Sequence, residues 1–243
     1  VTGTRHRTLS GFLPQTVSVV TQPELTSTQR LNVLPTLNEL VPGVFVTSRA
    51  MLGYGVSTGA AGGISVRGLS GGTGQMMVLI DGHPQYQGVF GHPISDSYQT
   101  LMAERVEVLR GPASMLYGSN AMGGVINIVT RGTDSYFHGY NHRSVQVNVG
   151  VGSYGTVQTE ASYEEDLGPL SFTAAAQYGR SDNHRPHMGF EQYGGFFKFD
   201  YYFNEFWNAY ADFNLTHFNY HFIKLKITFK YFILDLFIMF KLQ

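Results

Sequence analysis

Histidines offer the plainest chemistry in this sequence, because neutral imidazoles bind metal ions and haem iron. His83 and His92 flank the aromatic stretch PQYQGVFG, and His184 and His187 lie close together in HRPH. Pro186 interrupts the second pair, neither pair has regular helical spacing, and no carboxylate completes a ligand set. The pattern therefore favours solvated loop histidines over metal ligands, and it predicts no bound metal and no cofactor.

Motifs for catalysis and nucleotide binding are missing from the sequence. No histidine accompanies a serine or cysteine in a recognisable nucleophile motif. The glycine-rich stretch Gly68–Gly74 lacks both the Gly-Lys-Ser/Thr ending of a phosphate-binding loop and a helix after it. We therefore expect no enzyme activity.

Five charged residues occur in short β-like segments: Arg67, Glu104, Arg105, Glu107 and Arg110. These are too many charges for a small β core unless they pair with one another or with a surrounding wall, since a buried charge needs a partner. The alternative is exposed pairing within their own domain, which contributes little to stability.

As far as about Arg131, the secondary-structure elements that must position these groups are short. Glycine, proline and serine separate brief β runs, and the crowded glycines of Glu104–Arg131 indicate close backbone approach. A helix is predicted over Leu31–Leu40, where leucines recur at helical spacing before Pro42-Gly43. The predicted strands are Thr16–Val20, Ile64–Arg67, Met76–Ile80, a segment around Val106–Leu109, and Val125–Val129.

After Thr133 the sequence changes to long alternating segments, which are typical of strands with one apolar and one polar face. The first is Val145–Val151, followed by a turn at Gly152–Gly155. Later strands place aromatic side chains on one face and polar ones on the other, so the apolar face is expected to point outward into lipid. These strands are predicted at Val157–Tyr163, Phe172–Tyr178, Phe197–Phe203 and Trp207–Thr216.

Connections between these strands alternate in length, as they do in an outer-membrane barrel. Glu165–Pro169 and Asn204–Phe206 are short and are expected on the periplasmic side, whereas Ser181–Tyr193 is longer and is expected at the cell exterior. Five strands cannot close a barrel, because membrane barrels have at least about 8 strands. An incomplete barrel is therefore predicted.

Composition excludes several classes of protein. The 29 glycines favour turns over long helices, and a net charge of −1 gives nucleic acid no basic surface to bind. Without cysteine there are no disulfides. No apolar run reaches about 18 residues, so no transmembrane helix is expected. Because Val1 is not preceded by a leader, we expect that any secretion signal has been removed or was never included.

Three motifs, in this order, carry a family resemblance: ISVRGL at Ile64–Leu69, MVLIDGHP at Met77–Pro84, and the segment Glu104–Arg131. Together they resemble the plug domain of TonB-dependent outer-membrane receptors. The resemblance implies an α+β plug domain followed by antiparallel transmembrane β-barrel strands. The expected domains are a plug over residues 1–133, barrel strands over 134–217, and an aberrant tail over 218–243.

The tail is set apart by its composition, since it consists almost wholly of Phe, Ile, Lys, Leu, Tyr and Asn. These residues share A/T-rich codons, which favours a non-native or out-of-frame origin. The alternative is a sixth strand.

The resemblance also implies a function, which is active import of a scarce, bulky nutrient across the outer membrane with the plug in the barrel lumen. An iron-siderophore chelate is the leading substrate class, while cobalamin, haem, a glycan, or a passive structural or adhesive barrel stay open. The expected partners are TonB with its ExbB/ExbD energising complex, outer-membrane lipid and the nutrient, but no nucleic acid.

Site residues follow from the resemblance as well. Outward plug loops are expected to hold the ligand, the charged motif residues to latch the plug inside the barrel, and the N-terminus to keep the end of a TonB-binding segment. The ligand residues are Arg49, Tyr54, His83, Tyr86, Phe90 and His92; the latch is Arg67, Glu104, Arg105, Glu107 and Arg110; the TonB-box remnant is Val1, Thr2 and Gly3.

Overall fold

The computed structural model describes residues 15–48, 52–53, 63–69, 76–85, 95–132, 143–203, 208–222 and 225–237. The chain forms two compact units. The first comprises Val1–Arg49 and Tyr54–Thr130, and the second comprises Ala50–Gly53 and Arg131–Gln243. The predicted ligand residues Arg49, Tyr54, Tyr86, Phe90 and His92, and the predicted remnant Val1–Gly3, lie outside the described residues.

The described strands of the first unit are β1 (Thr16–Thr21), β2 (Val44–Val46), β3 (Ile64–Val66), β4 (Met76–Ile80), β5 (His83–Pro84), β6 (Ala103–Arg110) and β7 (Gly124–Thr130). They form a five-stranded sheet of order β1-β6-β7-β4-β5, with β2 and β3 as a separate pair. In the larger sheet β4 and β7 run parallel, and the other neighbouring strands are antiparallel.

The apolar runs MMVLI of β4 and GVINIVT of β7 explain the centre of this sheet, because a parallel pair is covered on both faces and needs apolar side chains on both. Leu79, Leu109 and Val125 are completely buried and pack in one cluster with Ala113 and Ala121. The strands predicted in this half of the sequence are all present.

Helices in this unit differ from the prediction in two ways. Helix α1, Gln22–Ser27, was not predicted, because its six residues are too short to show a periodic pattern. Helix α2 spans Val33–Leu40, two residues shorter than expected, because the side chain of Asn32 accepts a hydrogen bond from the Leu34 N–H at 3.0 Å and so caps the helix. Helix α3 is a single turn at Ser114–Tyr117.

Helix α1 begins with a carboxylate that is bound to the residue before the helix. Glu24 accepts hydrogen bonds from the backbone N–H and the hydroxyl of Thr21, both at 2.7 Å. These two bonds lower the pKa of Glu24, the backbone bond having the larger effect. The charged carboxylate also lies in the first turn, where the helix dipole favours it.

A lowered pKa in the folded state predicts a pH-dependent contribution to stability. The contribution is fully present above the unfolded glutamate pKa of about 4.3 and is lost as pH falls through the lower folded value. Replacing Glu24 with glutamine keeps an acceptor but removes the titration, so the difference in thermal unfolding midpoint between wild type and variant should shrink on acidification. Scanning calorimetry between pH 3 and 7 measures it. A Thr21→Val control, which retains the N–H donor, should show only part of the change; a pH-independent difference would contradict the prediction.

The second unit is an antiparallel meander of six strands in sequential order, with each strand hydrogen-bonded to the next. Its sheet is open and does not close into a barrel. The strands are β8 (Arg143–Gly152), β9 (Thr156–Leu167), β10 (Leu170–Ser181), β11 (Gly189–Tyr202), β12 (Asn208–Phe222) and β13 (Leu225–Phe237).

Several boundaries in this unit differ from those predicted. Strand β11 begins at Gly189, so the long loop is 182–188 rather than Ser181–Tyr193. Strand β12 continues to Phe222, and Leu225–Phe237 pairs with it as a sixth strand, where five strands were predicted. The non-native origin of residues 218–243 stays a prediction.

The two faces of the meander have opposite character, as the alternation predicts. Val145, Val147 and Val149 on β8 are 63–67% exposed, and Phe199 and Tyr201 on β11 are 43% exposed. The other face is polar and buried, and its buried residues include Thr173, Gln177, Lys198, Asp200, Asp212 and Thr216. An exposed apolar face with a buried polar face is the reverse of a water-soluble sandwich and is typical of outer-membrane strands.

Aromatic rings on the exposed face contact one another across strands. The ring of Phe172 lies 5.3 Å from that of Tyr163 and 6.2 Å from that of Phe197, and Phe197 meets Phe199 edge-on at 4.5 Å. Such cross-strand pairs stabilise a sheet and define its register. The aromatic residues predicted to face outward therefore share one surface.

Candidate functional site

The charged motif residues of β6 pair with one another. The Arg105 guanidinium contacts Glu107 at 3.0 Å and Glu104 at 3.6 Å. The Glu107 side chain is only 4% exposed, so its partner compensates a largely buried charge. Burial raises the pKa of Tyr117, and the negative charge of Glu107 acts in the same direction.

The other two latch candidates bind neighbouring segments of the first unit. Arg67 donates to the hydroxyl of Thr16 at 3.2 Å, and Arg110 donates to the carbonyl of Pro42 at 2.7 Å. Arg67 and Arg110 therefore connect different segments of the first unit, whereas Glu104, Arg105 and Glu107 pair within β6. Their predicted role in holding the plug inside a barrel is not tested by these contacts and stays a prediction.

The turn Asp81-Gly82 fixes the end of strand β7. The Asp81 carboxylate accepts a hydrogen bond from the Thr130 backbone N–H at 2.8 Å, and Gly82 N–H donates to the Asn127 side chain at 3.0 Å. Both turn residues have positive φ, 47° and 83°, which suits a tight hairpin turn. The turn therefore places His83, at the start of β5, beside the end of the parallel pair.

Among the predicted ligand residues, His83 alone lies in the described part of the chain. It pairs with Ile80 in the short β4–β5 hairpin and is partly buried. Where the other candidates lie relative to it is therefore a prediction.

A buried polar cluster occupies the inner face of the second unit. Lys198 is 1% exposed, and its ammonium lies 5.1 Å from the centre of the Tyr210 ring. Lys198 is directly opposite Asp212 in the β11–β12 register, and Asp200 is two residues further along β11. The buried cation therefore shares its face with two buried carboxylates.

Arg131 and Gly132, at the start of the long second segment, lie against the same face. The Arg131 guanidinium donates to Ser162 at 2.8 Å and to Glu164 at 3.1 Å. A Cβ on Gly132 would lie 3.1 Å from the Thr173 hydroxyl, so alanine would be crowded there. Arg131 is thus bound to strand β9, and Gly132 lies close to strand β10.

A pocket of about 450 Å³ opens beside the 182–188 loop at the end of β10 and β11. Charged side chains of both signs line it, namely Arg180, Asp182 and Glu191, together with His187. Arg180 pairs with Asp182 at 3.4 Å, and both are exposed. His187 therefore lies in a polar surface loop, as the sequence pattern favours.

Three residues with structural roles were not singled out from the sequence. Arg131 ends the glycine-rich motif, and its position directly after the last apolar strand is the signal that could have identified it. Lys198 is marked by its place on the polar side of an aromatic strand. Asn183 has no local signal, because its partner is 131 residues away.

Among the described residues, no cluster of three or more His, Cys, Asp or Glu side chains is arranged to hold a metal ion. Within the same ranges, no helix has the length and apolar character needed to cross a membrane.

Comparison with known proteins gives the same architecture. Residues 12–125 match the model of the TonB-dependent receptor plug domain. Over 177 residues the chain is 36% identical to an iron-regulated outer membrane virulence protein of Vibrio cholerae, a match that covers 69% of this chain and 25% of that protein. The chain thus spans about a quarter of the length of the curated relatives it matches.

Solved structures share the fold at low sequence identity. The siderophore receptor PiuA of Acinetobacter baumannii matches with a TM-score of 0.67 and 17% identity, covering 85% of this chain and 27% of PiuA. The ferric yersiniabactin uptake receptor FyuA of Yersinia pestis matches with a TM-score of 0.63 and 21% identity, covering 85% and 32%. These relatives are transport receptors rather than enzymes.

The fold is that of a plug domain joined to antiparallel strands of an outer-membrane barrel. The chain belongs to the TonB-dependent outer-membrane receptors, and its location is the outer membrane.

Proposed function

We propose that the full-length protein binds a ferric chelate at the cell surface and imports it actively through the outer membrane. The observation that carries this proposal is the 36% identity, over 177 residues, to an iron-regulated outer membrane virulence protein. The exposed apolar face and buried polar face of the meander support a membrane setting. In this proposal the protein transports its ligand and catalyses no reaction.

Energy for the import comes from TonB and its ExbB/ExbD complex. The outer membrane has no nucleotide supply, and the sequence offers no nucleotide site, so an external source of work is required. TonB recognises an extended N-terminal segment by adding it as a strand to its own sheet. Val1, Thr2 and Gly3 are the proposed end of that segment.

The proposed ligand site lies on outward plug loops. Tyr54, Tyr86 and Phe90 would stack on a large flat or hydrophobic chelate, while Arg49 would attract its negative charge. His83 and His92 would supply polar contacts. The Asp81-Gly82 turn supports this assignment, because its hydrogen bonds fix the backbone next to His83.

The proposed latch is the charged cluster of the plug. Within this cluster Arg105 pairs with the largely buried Glu107, and a buried pair is costly to separate. Force applied through TonB would shift Arg67, Glu104 and Arg110 together with this pair and open a path beside the plug.

Radiolabelled uptake by cells that carry the full-length gene tests the function. The probes are ⁵⁵Fe-labelled enterobactin (a catecholate), ⁵⁵Fe-labelled ferrichrome (a hydroxamate), labelled haemin and labelled cyanocobalamin. We expect accumulation of a ferric chelate, a fall to background in a strain without TonB, and a large loss in an Arg49→Ala/Tyr54→Ala double variant.

A Tyr201→Leu variant is the matched control, because Tyr201 lies on the exposed aromatic face and should leave uptake unchanged. Equal uptake with and without TonB would reject active transport in favour of a passive barrel. If only haemin or cyanocobalamin is taken up, the ferric chelate is rejected as the substrate, but the protein is still an importer.

A further inference from the structure

A short piece of the plug's own sequence belongs structurally to the barrel strands. The chain leaves the first unit after Arg49 and returns to it at Tyr54, and Ala50–Gly53 is part of the second unit. Within this piece, the structure describes Leu52 and Gly53. The two residues that bracket the piece are the ligand candidates Arg49 and Tyr54.

One side chain holds this piece by its backbone. The Asn183 side-chain oxygen accepts a hydrogen bond from the Leu52 N–H at 3.0 Å, and its amide nitrogen donates to the Leu52 carbonyl at 3.1 Å. The same nitrogen donates to the Met188 carbonyl at 2.6 Å. Asn183 is 5% exposed, so its amide is buried and its donors and acceptor are engaged. A buried amide that meets both polar groups of one residue holds that residue as a neighbouring strand would.

The next residue is fitted to an aromatic ring. Gly53 has a φ of +80°, and a Cβ at this position would lie 2.5 Å from Cδ2 of Phe190. Phe190 is 1% exposed and is the second residue of β11. Glycine is therefore required at this position on both conformational and steric grounds.

The loop that carries Asn183 is itself braced. Asn183 adopts a φ of 58°, and its N–H donates to the Ser181 hydroxyl at 3.1 Å. The Ser181 hydroxyl contacts that of Thr156 at 2.8 Å, and Asp182 N–H donates to the Tyr154 carbonyl at 2.9 Å. The loop is thus bound to the neighbouring β8–β9 turn and offers a fixed support.

We propose that Asn183 is a positioning residue for ligand recognition, because it fixes the backbone of Leu52-Gly53, whose sequence neighbours Arg49 and Tyr54 are proposed ligand residues. This inference rests on the proposed function. Under this proposal, detachment of Leu52 from Asn183 and loss of ligand affinity occur together. Ligand bound to the plug loop would in turn favour the attached state.

The experiment uses the full-length receptor in detergent and compares wild type with Asn183→Gly. Glycine keeps the positive φ and removes only the amide. Hydrogen exchange at the Leu52 amide should accelerate about tenfold or more, as expected for loss of a buried hydrogen bond. Affinity for whichever of ferric enterobactin or ferrichrome binds wild type should weaken about tenfold, with uptake showing a raised KM and an unchanged maximal rate.

Two further variants separate positioning from folding. Gly53→Ala disturbs the same attachment at the Leu52-Gly53 backbone instead of at Asn183, and it should raise KM in the same way. Asn148→Ala, a half-buried asparagine of the same sheet, should leave both exchange at Leu52 and KM unchanged. A general loss of folding would instead lower receptor abundance and the thermal midpoint.

The outcomes distinguish failure of the Asn183 contact, failure of its role in recognition and failure of the proposed function. Unchanged exchange at Leu52 in Asn183→Gly would overturn the contact. Faster exchange with unchanged affinity would overturn its role in recognition. Failure of wild type to bind either ferric chelate would overturn the proposed function and the recognition role with it, while the exchange result would still decide whether the contact exists.

Discussion

Replacing Gly124 with alanine should unfold the plug unit. Gly124 has a φ of +151°, which side chains rarely adopt, and a Cβ there would overlap the carbonyl oxygen of Leu109 on the adjacent strand. Strands β6 and β7 are buried, so neither backbone can move away. The expected cost exceeds about 4 kcal/mol, in the range reserved for backbone strain combined with overpacking. Thermal unfolding of the purified receptor and its resistance to trypsin measure the effect.

Two other glycine substitutions serve as controls that separate conformational strain from steric overlap. Gly111→Ala has a similar φ of +137° but no atom near its Cβ, so it should show conformational strain alone, about 1–3 kcal/mol. Gly195→Ala on β11 has neither a positive φ nor a close contact and should have a small effect. Equal stability of the Gly124 and Gly195 variants would show that β6 and β7 do not approach as closely as described.

Replacing Arg131 with alanine should strongly destabilise the second unit. The Arg131 side chain is 7% exposed and pairs with Glu164 at 3.1 Å, so its loss leaves a carboxylate and the Ser162 hydroxyl without their donor. Removing one partner of a fully buried pair costs about 3–5 kcal/mol, and the 26% exposure of Glu164 places this loss toward the lower end of that range. The thermal unfolding midpoint of the detergent-solubilised receptor should fall accordingly.

An exposed pair in the same unit provides the comparison. Arg180 and Asp182 are 56% and 65% exposed, and Arg180→Ala should cost less than about 1 kcal/mol. In an Arg131→Ala/Glu164→Ala double variant part of the loss should be recovered, because no uncompensated charge remains. If Arg131→Ala were as mild as Arg180→Ala, the buried pairing would be refuted.

The strands of both units follow closely from local patterns. Alternation in Val145–Val151 and in the aromatic segments after it predicted the strands and which side chains share a face. It also predicted an exposed apolar face opposite a polar one, because side chains on a strand alternate with a period of two. The short plug strands were likewise marked by valine-rich runs and glycine breaks. Where prediction fell short, the pattern was too brief, as in helix α1, or the strand continued into a loop rich in polar residues, as at the start of β11.

The candidate site was predicted less completely, because its contacts join distant segments. The five charged residues of the motifs were identified by type, but their partners, such as the Pro42 carbonyl for Arg110, depend on how the segments pack. Most of the ligand candidates lie outside the described residues, so their joint site stays a prediction. Arg131 and Asn183 were missed, since their partners Glu164 and Leu52 lie 33 and 131 residues away in the sequence.

The sequence by itself determined the alternation of faces, the turn glycines and the ordered plug motifs, all of which depend on residues close together in the chain. Tertiary structure alone decided the parallel pairing of β4 with β7, the Arg131–Glu164 pair and the attachment of Leu52 to Asn183. These contacts link residues tens to more than a hundred positions apart. Closing such distances costs chain entropy, which only the combined packing of many elements can offset.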